Sequence, residues 1–161
     1  MANKKRKRPI NEKNQKKKKT SALNAENIIN LVQDVPHFSG IFTDKMLKYI
    51  NIIKYPITII VNINNHWLTM YLSEKEIEIY DTLCGIFSKE YKNIHQFISN
   101  HMQNKKLYIL PVVQPDDSNI CGYYSAYFAI EKSQNNSFKS ILCHFNSDLI
   151  NNDFYINQYF Q

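Results

Sequence analysis

Residues 56–81, PITIIVNINNHWLTMYLSEKEIEIYD, decide the fold of this chain. Residues 56–63 are rich in β-branched side chains and predict a buried strand. Residues 66–72 predict a second strand, and residues 76–81 alternate between polar and apolar as a third. Asn64-Asn65 is expected to form a turn or bulge, and residues 73–75 a hairpin turn. The stretch therefore predicts a three-stranded meander.

Helical patterns lie on both sides of this meander. Residues 22–34 predict a helix with Ser21 as a possible N-cap, residues 38–42 a loop, and Thr43-Asp44 the start of a short helix through about Tyr49. Further along, the patterns predict a helix at 88–103, a strand at 107–113, a helix at 120–133, a short helix at 138–145, and a last segment, 147–159, docked on the core. We expect an α+β domain with a central mixed β-sheet flanked by helices.

Charge divides the chain into a basic arm, residues 1–20, and a domain, residues 21–161. The first 19 residues hold ten basic side chains and one acid, Glu12, whereas the rest holds ten basic and thirteen acidic residues. Such an arm repels itself and is expected to be disordered when free. We expect it to bind nucleic acid, an import receptor or an acidic protein surface, the alternative being a solubilising tail. The candidate nucleic-acid-binding residues are Lys4, Lys5, Arg6, Lys7, Arg8, Lys16, Lys17, Lys18 and Lys19.

Composition excludes several classes of protein. Three glycines and the absence of GxGxxG and GxxxxGK[ST] argue against a nucleotide-binding loop. Apolar runs are too short for a membrane helix, and no secretory signal follows the basic start. Three cysteines without CxxC indicate a reducing compartment. Cys84, Cys143 and His144 lack a visible fourth ligand for zinc, so we expect no metal and no organic cofactor.

Cys121 is the candidate nucleophile. It follows a polar loop and opens a helix, where free N–H groups and the helix dipole favour a thiolate. Gly122 carries no side chain, so a substrate carbonyl could approach closely beside it. A buried structural cysteine remains the alternative reading of Cys-Gly taken alone.

A thiolate nucleophile needs a base, and the base needs an acceptor that fixes its tautomer. Five histidines are present: His37, His66, His95, His101 and His144. His66 begins a strand at the sheet rim, whereas the others lie in polar or partnerless surroundings. If the hairpin folds at Ser73-Glu74, the strand ends at His66 and Asp81 meet. Asp81 could instead be only a turn cap before Thr82. Gln114, seven residues before Cys121, could donate its amide N–H to an oxyanion.

These residues, in this order, resemble the adenovirus maturation protease and its cellular relatives, the ubiquitin-like-protein-specific (SUMO) proteases. The resemblance rests on His66-Trp67, Asp81, Gln114 and Asn119-Ile-Cys-Gly122, with further likeness in residues 121–128 and 38–44, and covers roughly residues 25–135. It implies a cysteine protease with His66, Asp81, Gln114 and Cys121 as catalytic residues and Trp67 as a wall of the substrate groove.

The resemblance also implies a setting. Protein substrates would be cut near Gly-Gly-type sites, and the short chain resembles viral or Polinton-type members. We therefore expect a monomeric enzyme in the virion and the host cell interior, not secreted, that matures capsid or other virion precursors. The adenoviral enzyme has Glu where Asp81 stands, and it is activated by DNA and by a disulfide-linked peptide. Cys84 and Cys143 do not match its cofactor-pairing cysteine, so the disulfide is not carried over, whereas activation by DNA or a peptide stays open. The alternatives are a deubiquitinase-like or SUMO-protease-like enzyme acting on host conjugates, and a basic-armed DNA-binding virion protein on an inactive protease fold.

Overall fold

The computed structural model describes residues 21–161, which form an α+β domain around one mixed sheet. The strands are β1 (Phe38–Thr43), β2 (Ile57–Ile63), β3 (His66–Leu72), β4 (Glu76–Tyr80) and β5 (Lys106–Ile109), and they lie side by side in that order. The three central strands are antiparallel, and each edge strand runs parallel to its neighbour. The predicted fold class, with its meander, is confirmed. The strand predicted at 107–113 lies at the sheet edge but ends at Ile109, before Pro111.

Within residues 21–161, five α-helices flank the sheet: α1 (Ala25–Val32), α2 (Lys92–His101), α3 (Cys121–Ser133), α4 (Phe138–Leu142) and α5 (Leu149–Tyr159). Three 3₁₀ turns accompany them, at Asp44–Tyr49, Gly85–Phe87 and Lys89–Tyr91. The first of these is the short helix predicted after Thr43. The helix predicted at 88–103 divides into the last 3₁₀ turn and α2, and the final segment docks as α5.

Other local predictions were wrong. Residues 38–42, expected as a loop, belong to the edge strand β1, which pairs in parallel with β2 across a register shift between Phe38 and Gly40. Gly40 has φ 130°, a conformation that side-chain-bearing residues rarely adopt and that reads locally as a turn. The first helix begins later than predicted, and its N-cap is Asn24 instead of Ser21, because Asn24 and Asn27 form a reciprocal capping box.

The sheet separates two apolar layers. On one face, Ile59, Leu68 and Ile79 are fully buried against α2, where Phe97 projects toward them. On the other face lies α3, which is buried along most of its length and covered in turn by α4 and α5. The first residue of α3 is therefore held firmly against the end of the sheet.

The hairpin β3–β4 brings together the strand ends at His66 and Asp81, which the sequence predicted to meet. Thr69 faces Tyr80 and Leu72 faces Ile77, so the turn is centred between Glu74 and Lys75, one residue later than the fold at Ser73-Glu74 required. His66 and Asp81 are consequently diagonal neighbours, and their side chains lean toward each other across the sheet end.

No helix within residues 21–161 is long and apolar enough to cross a membrane. The basic arm and all nine of its candidate nucleic-acid-binding residues lie outside the described part of the chain.

Candidate active site

His66 is positioned by a two-residue turn. Asn64 and Asn65 both have positive φ, 48° and 64°, which asparagine tolerates better than most residues and which suits a tight hairpin. The turn brings Ile63 opposite His66, the first residue of β3. The imidazole therefore projects from the rim of the sheet, where its side chain keeps 13% of its surface exposed.

Asp81 follows directly after β4 and is fully buried. Its Oδ1 lies 2.8 Å from His66 Nε2 and also accepts the backbone N–H of Leu83 at 3.2 Å. With Nε2 engaged by the carboxylate, Nδ1 is the ring nitrogen left to face the thiol of Cys121. Asp81 thus occupies the place predicted for the residue that orients the base.

Cys121 opens α3 beside the imidazole, as the sequence predicted. Burial raises the pKa of its thiol, but the hydrogen bond with His66, the N–H of Trp67, the positive imidazolium and the N–H of Gly122 together bring that pKa below its ordinary value. The thiolate is therefore held by one side chain and two backbone donors.

The His66 imidazole shows the complementary shift. Burial lowers its pKa, but the hydrogen bonds to Asp81 and Cys121 and the charges of both partners outweigh burial and raise the pKa to about 9. A lowered thiol pKa beside a raised imidazole pKa favours a thiolate–imidazolium pair near neutral pH. Such a pair combines an activated nucleophile with a proton donor.

Gln114 lies in the loop before α3, with 1% of its surface exposed. Its Oε1 accepts the hydroxyl of Thr82 at 2.6 Å, and its Nε2 donates to the carbonyl of Ser118 at 3.1 Å. An amide nitrogen carries two hydrogens, so one N–H of Gln114 is not used by these contacts. That N–H belongs to a residue lining the same cleft as Cys121.

The cleft has a volume of about 270 Å³. It is lined by Ala22, Leu23, Asn65, His66, Trp67, Leu83, Gln114, Ser118, Asn119 and Cys121. All four predicted catalytic residues are thus together: three line the cleft and Asp81 lies buried behind His66. Their catalytic roles remain predictions, since geometry alone gives proximity.

Trp67 joins this cleft to a larger apolar groove. The groove, about 550 Å³, shares Ala22, Leu23, Asn65 and Trp67 with the cleft and continues to Met46. The indole Nε1 donates to the carbonyl of Leu23 at 3.1 Å, which fixes the ring orientation. Trp67 therefore lies where a groove wall was expected, and its backbone N–H has the additional role at the thiolate that sequence reasoning missed.

Gly122 has a packing reason that the sequence did not reveal. A Cβ at this position would lie 2.9 Å from Leu23 Cβ and 3.2 Å from Ile28 Cδ1, so only glycine permits this approach of α1 to α3. The missing side chain makes room for these apolar neighbours, whereas an opening toward substrate stays a prediction.

The remaining histidines and cysteines stand apart from the cleft. His95 contacts the carbonyl of Ile86, His101 Nδ1 donates to the carbonyl of Phe97 at 2.8 Å, and His144 contacts the Tyr127 hydroxyl. Cys84 and Cys143 are free thiols, and Cys143 is exposed. Within residues 21–161, no three His, Cys, Asp or Glu side chains are grouped to hold a metal ion.

Comparison with known proteins identifies the fold. No family model and no curated protein sequence matches this chain. Among solved structures, it is similar to SUMO protease Ulp1 with its catalytic cysteine oxidised to a sulfenic acid, at 18% identity and TM-score 0.50, over 75% of this chain and 72% of that chain. Ulp1 in the sulfinic acid form gives TM-score 0.49 with the same identity and coverage.

A third similar structure is the central domain of the uncharacterized Lpg1148 protein from Legionella pneumophila, with TM-score 0.41, 16% identity, and coverage of 71% of this chain and 73% of that chain. At these identities the likeness to Ulp1 shows the fold. The chemistry has to be argued from the cleft itself.

Proposed function

We propose that this protein is a cysteine peptidase that hydrolyses peptide bonds in protein substrates, with Cys121 as nucleophile. One observation carries the proposal: in a single cleft, the thiol of Cys121 lies against an imidazole whose other nitrogen is 2.8 Å from a buried carboxylate. A nucleophile, a base and a residue that orients the base form the arrangement that covalent acyl transfer requires.

The first half of the reaction follows from the charges of the pair. The Cys121 thiolate attacks the carbonyl carbon of the scissile peptide bond, forming a C–S bond while the carbonyl π electrons move to oxygen. As the C–O double bond re-forms, the C–N bond breaks and the His66 imidazolium gives its proton to the leaving amine. The product is a thioester on Cys121 and a neutral imidazole.

Water completes the cycle. His66, now neutral, takes a proton from a water molecule whose oxygen attacks the thioester carbon. The C–S bond breaks, the acid product leaves, and the thiolate–imidazolium pair is restored. Asp81 holds the imidazole by its Nε2–H throughout, so that Nδ1 serves both proton transfers.

The negative oxygen of each tetrahedral intermediate needs a donor that is already in place. The unused Nε2–H of Gln114 is the candidate side-chain donor, since Gln114 lines the cleft with Cys121. Loss of one such donor typically costs about 10²–10³-fold in kcat.

Substrate selection is proposed to favour small residues beside the cut bond, of the Gly-Gly type. The support is steric: Leu23 and Trp67, tied by a hydrogen bond, both line the narrow cleft beside Cys121. The apolar groove beyond Trp67 would receive larger side chains further along the substrate.

The narrower role proposed is maturation of capsid or other virion precursors inside the virion and host cell, by a monomeric enzyme, with the basic arm binding DNA. Support comes from the order and spacing of His66, Asp81, Gln114 and Cys121, which resemble the adenovirus maturation protease. A second candidate, cleavage of ubiquitin-like conjugates, is favoured by the Ulp1-like fold.

Selective thiol alkylation tests the chemistry. Iodoacetamide at pH 7 should modify Cys121 far faster than Cys84 or Cys143, with sites assigned by mass spectrometry. Cys121→Ala should lose peptide hydrolysis, whereas the matched Cys84→Ser and Cys143→Ser variants should keep it. Hydrolysis that survives Cys121→Ala, or a faster reaction at either other thiol, would refute the proposal.

Substrate class is tested by mapping new protein termini. The protein is incubated in parallel with capsid proteins encoded beside it and with SUMO or ubiquitin conjugates. New termini in the capsid proteins alone support maturation, and cleavage of conjugates alone supports the second candidate.

Deletion of residues 1–19 should abolish salt-sensitive DNA binding and spare peptide cleavage, and unchanged DNA affinity would exclude the arm as the DNA site.

A further inference from the structure

We propose that Thr82 is a positioning residue whose hydroxyl fixes the side-chain amide of Gln114 with one N–H directed toward the oxyanion beside Cys121. This inference rests on the proposed peptidase function. Its physical basis is a buried hydrogen bond of 2.6 Å between Thr82 Oγ1 and Gln114 Oε1, with both residues 1% exposed.

The two contacts of the Gln114 amide select one of its two flip states. The backbone carbonyl of Ser118 can only accept, so it must face the amide nitrogen, and Nε2 donates to it at 3.1 Å. The Thr82 hydroxyl then donates to Oε1 on the opposite side. Because a carboxamide is planar, holding its oxygen and one N–H fixes the direction of the second N–H as well.

Thr82 is suited to this task by its place in the chain. It directly follows Asp81, and its carbonyl accepts the backbone N–H groups of Val113 at 3.0 Å and Gln114 at 3.3 Å. The residue that orients the base and the residue that holds the oxyanion donor are therefore adjacent. Any displacement of this turn would move both halves of the site together.

The loop has backbone anchors that do not depend on the Thr82 hydroxyl. The carbonyl of Val113 accepts Asn152 Nδ2 from α5 at 3.0 Å and the Tyr124 hydroxyl from α3 at 3.3 Å. Replacing Thr82 by valine, which has the same shape without the hydroxyl, should therefore leave the loop in place. What it removes is the donor to Gln114 Oε1, so the amide is held only by its bond to the Ser118 carbonyl and its second N–H is no longer fixed in direction.

The decisive experiment compares two reactions of Cys121 in full-length protein. A tetrapeptide aldehyde ending in Gly-Gly adds to the thiol to give a hemithioacetal whose oxygen requires the oxyanion donor. Iodoacetamide alkylates the same thiol by displacement and creates no oxyanion. We expect Thr82→Val to weaken binding of the aldehyde and to lower kcat for peptide hydrolysis, each by about 10–10²-fold. KM for the peptide and the pH profile of alkylation by iodoacetamide should stay unchanged. Thr82→Ser, which restores a hydroxyl, should recover most of the loss.

Thr69→Val is the matched control, because Thr69 is also fully buried and its hydroxyl donates to a backbone carbonyl, that of Ser125, at 2.9 Å. Thr69→Val should lower the free energy of unfolding by about as much as Thr82→Val does. It should leave the ratio of aldehyde affinity to alkylation rate at the wild-type value. Unchanged aldehyde binding in Thr82→Val would overturn the inference. So would a parallel loss of alkylation, or a failure of Thr82→Ser to recover activity.

Failure of the peptidase proposal would look different. Wild-type Cys121 would then react with iodoacetamide no faster than free glutathione, and the inferred role of Thr82 would fall with it. If the wild-type thiol is reactive and Thr82→Val still binds the aldehyde normally, only the inference about Thr82 fails. The side-chain amide signals of Gln114 in ¹⁵N NMR spectra provide a direct readout: they should shift and broaden in Thr82→Val and not in Thr69→Val.

Discussion

Two buried acid–base pairs draw their carboxylates from the same short stretch of chain. Glu78, inside β4, lies 2.9 Å from Lys132, and Asp81, just after β4, lies 2.8 Å from His66. The contacts around the two pairs differ. Glu78 also accepts the Tyr80 hydroxyl, whereas Asp81 reaches a histidine that has a thiol on its other side.

Lys132 has three partners around its ammonium group. Its Nζ donates to Glu78 and, at 2.9 Å, to the carbonyl of Asn136, and it lies 4.2 Å from the centroid of the Tyr71 ring. This pair is a closed structural link between β4 and α3. The His66–Asp81 pair is open toward a cleft, so its proton can be passed on.

The largest expected effect distinguishes the two pairs by their contribution to catalytic activity. His66→Ala should lower kcat/KM for peptide hydrolysis by about 10³–10⁴-fold, because the thiol loses its proton acceptor and the leaving amine its donor. The thermal unfolding midpoint should fall as well, because fully buried Asp81 loses its imidazole partner, so kcat/KM is measured on folded protein below that midpoint. If folded His66→Ala keeps wild-type activity and is only less stable, the His66–Asp81 pair has a structural role like that of Glu78–Lys132.

The second largest effect distinguishes the two pairs by their contribution to the free energy of unfolding. Lys132→Met should cost about 3–5 kcal/mol in urea unfolding, because Glu78 is left buried without its cation. Folded Lys132→Met should retain kcat/KM within about threefold, since Lys132 does not line the cleft. Loss of turnover in the folded variant would contradict a purely structural role.

That destabilisation should depend on pH. Burial raises the pKa of Glu78 above its ordinary value, opposed by Tyr80 and Lys132, and removal of Lys132 should raise that pKa further. A carboxyl with a raised folded pKa loses stability as pH rises above its unfolded pKa. Urea midpoints of Lys132→Met should therefore lie closer to wild type at pH 5 than at pH 8.

A smaller effect sharpens the role of the second carboxylate. Wild-type kcat/KM should fall on the alkaline side near pH 9, where His66 loses its proton. Asp81→Asn removes the negative charge that raises the His66 pKa, so this alkaline limb should move to lower pH and kcat/KM at pH 7 should fall. An alkaline limb unchanged by Asp81→Asn would show that Asp81 does not control the imidazole.

The smallest net effect is expected when the structural pair is removed together. Glu78→Gln with Lys132→Met leaves no unpaired buried charge, so the double variant should be more stable than Lys132→Met and within about 2 kcal/mol of wild type. Urea unfolding of the wild type, both single variants and the double variant gives the coupling energy. A double variant less stable than Lys132→Met would argue that the ion pair is not the source of the cost.

The meander and the start of α3 could be predicted because their signals are local. The β-branched run at 56–63, the alternation at 76–81 and the two turns defined β2, β3 and β4, and the strand ends then indicated His66 and Asp81. Strand β1 could not be predicted in this way, because its pairing partner lies about twenty residues away and Gly40 breaks its pattern. The hairpin register also differed by one residue, yet the long His66 side chain still reaches Asp81.

Contacts between distant segments left no trace in the sequence. Thr82 and Gln114 are 32 residues apart, and nothing in either segment indicates their hydrogen bond. The same holds for the N–H of Trp67 at the Cys121 thiolate and for the packing of Leu23 on Gly122. Each needs the sheet end, α1 and α3 to be assembled first.

The sequence by itself determined the mixed-sheet fold and the strand ends at His66 and Asp81, because hydrophobic periodicity and turn chemistry are written along the chain. Cys121 followed from its place at a helix start, and the set with Gln114 from the resemblance to the adenovirus maturation protease. Only the tertiary structure decided how protons and charges are arranged among them. It assigned Nε2 of His66 to Asp81, lowered the pKa of Cys121 through neighbouring donors and buried Gln114 against Thr82. Burial and hydrogen-bond geometry set those properties, and both exist only after distant segments have packed.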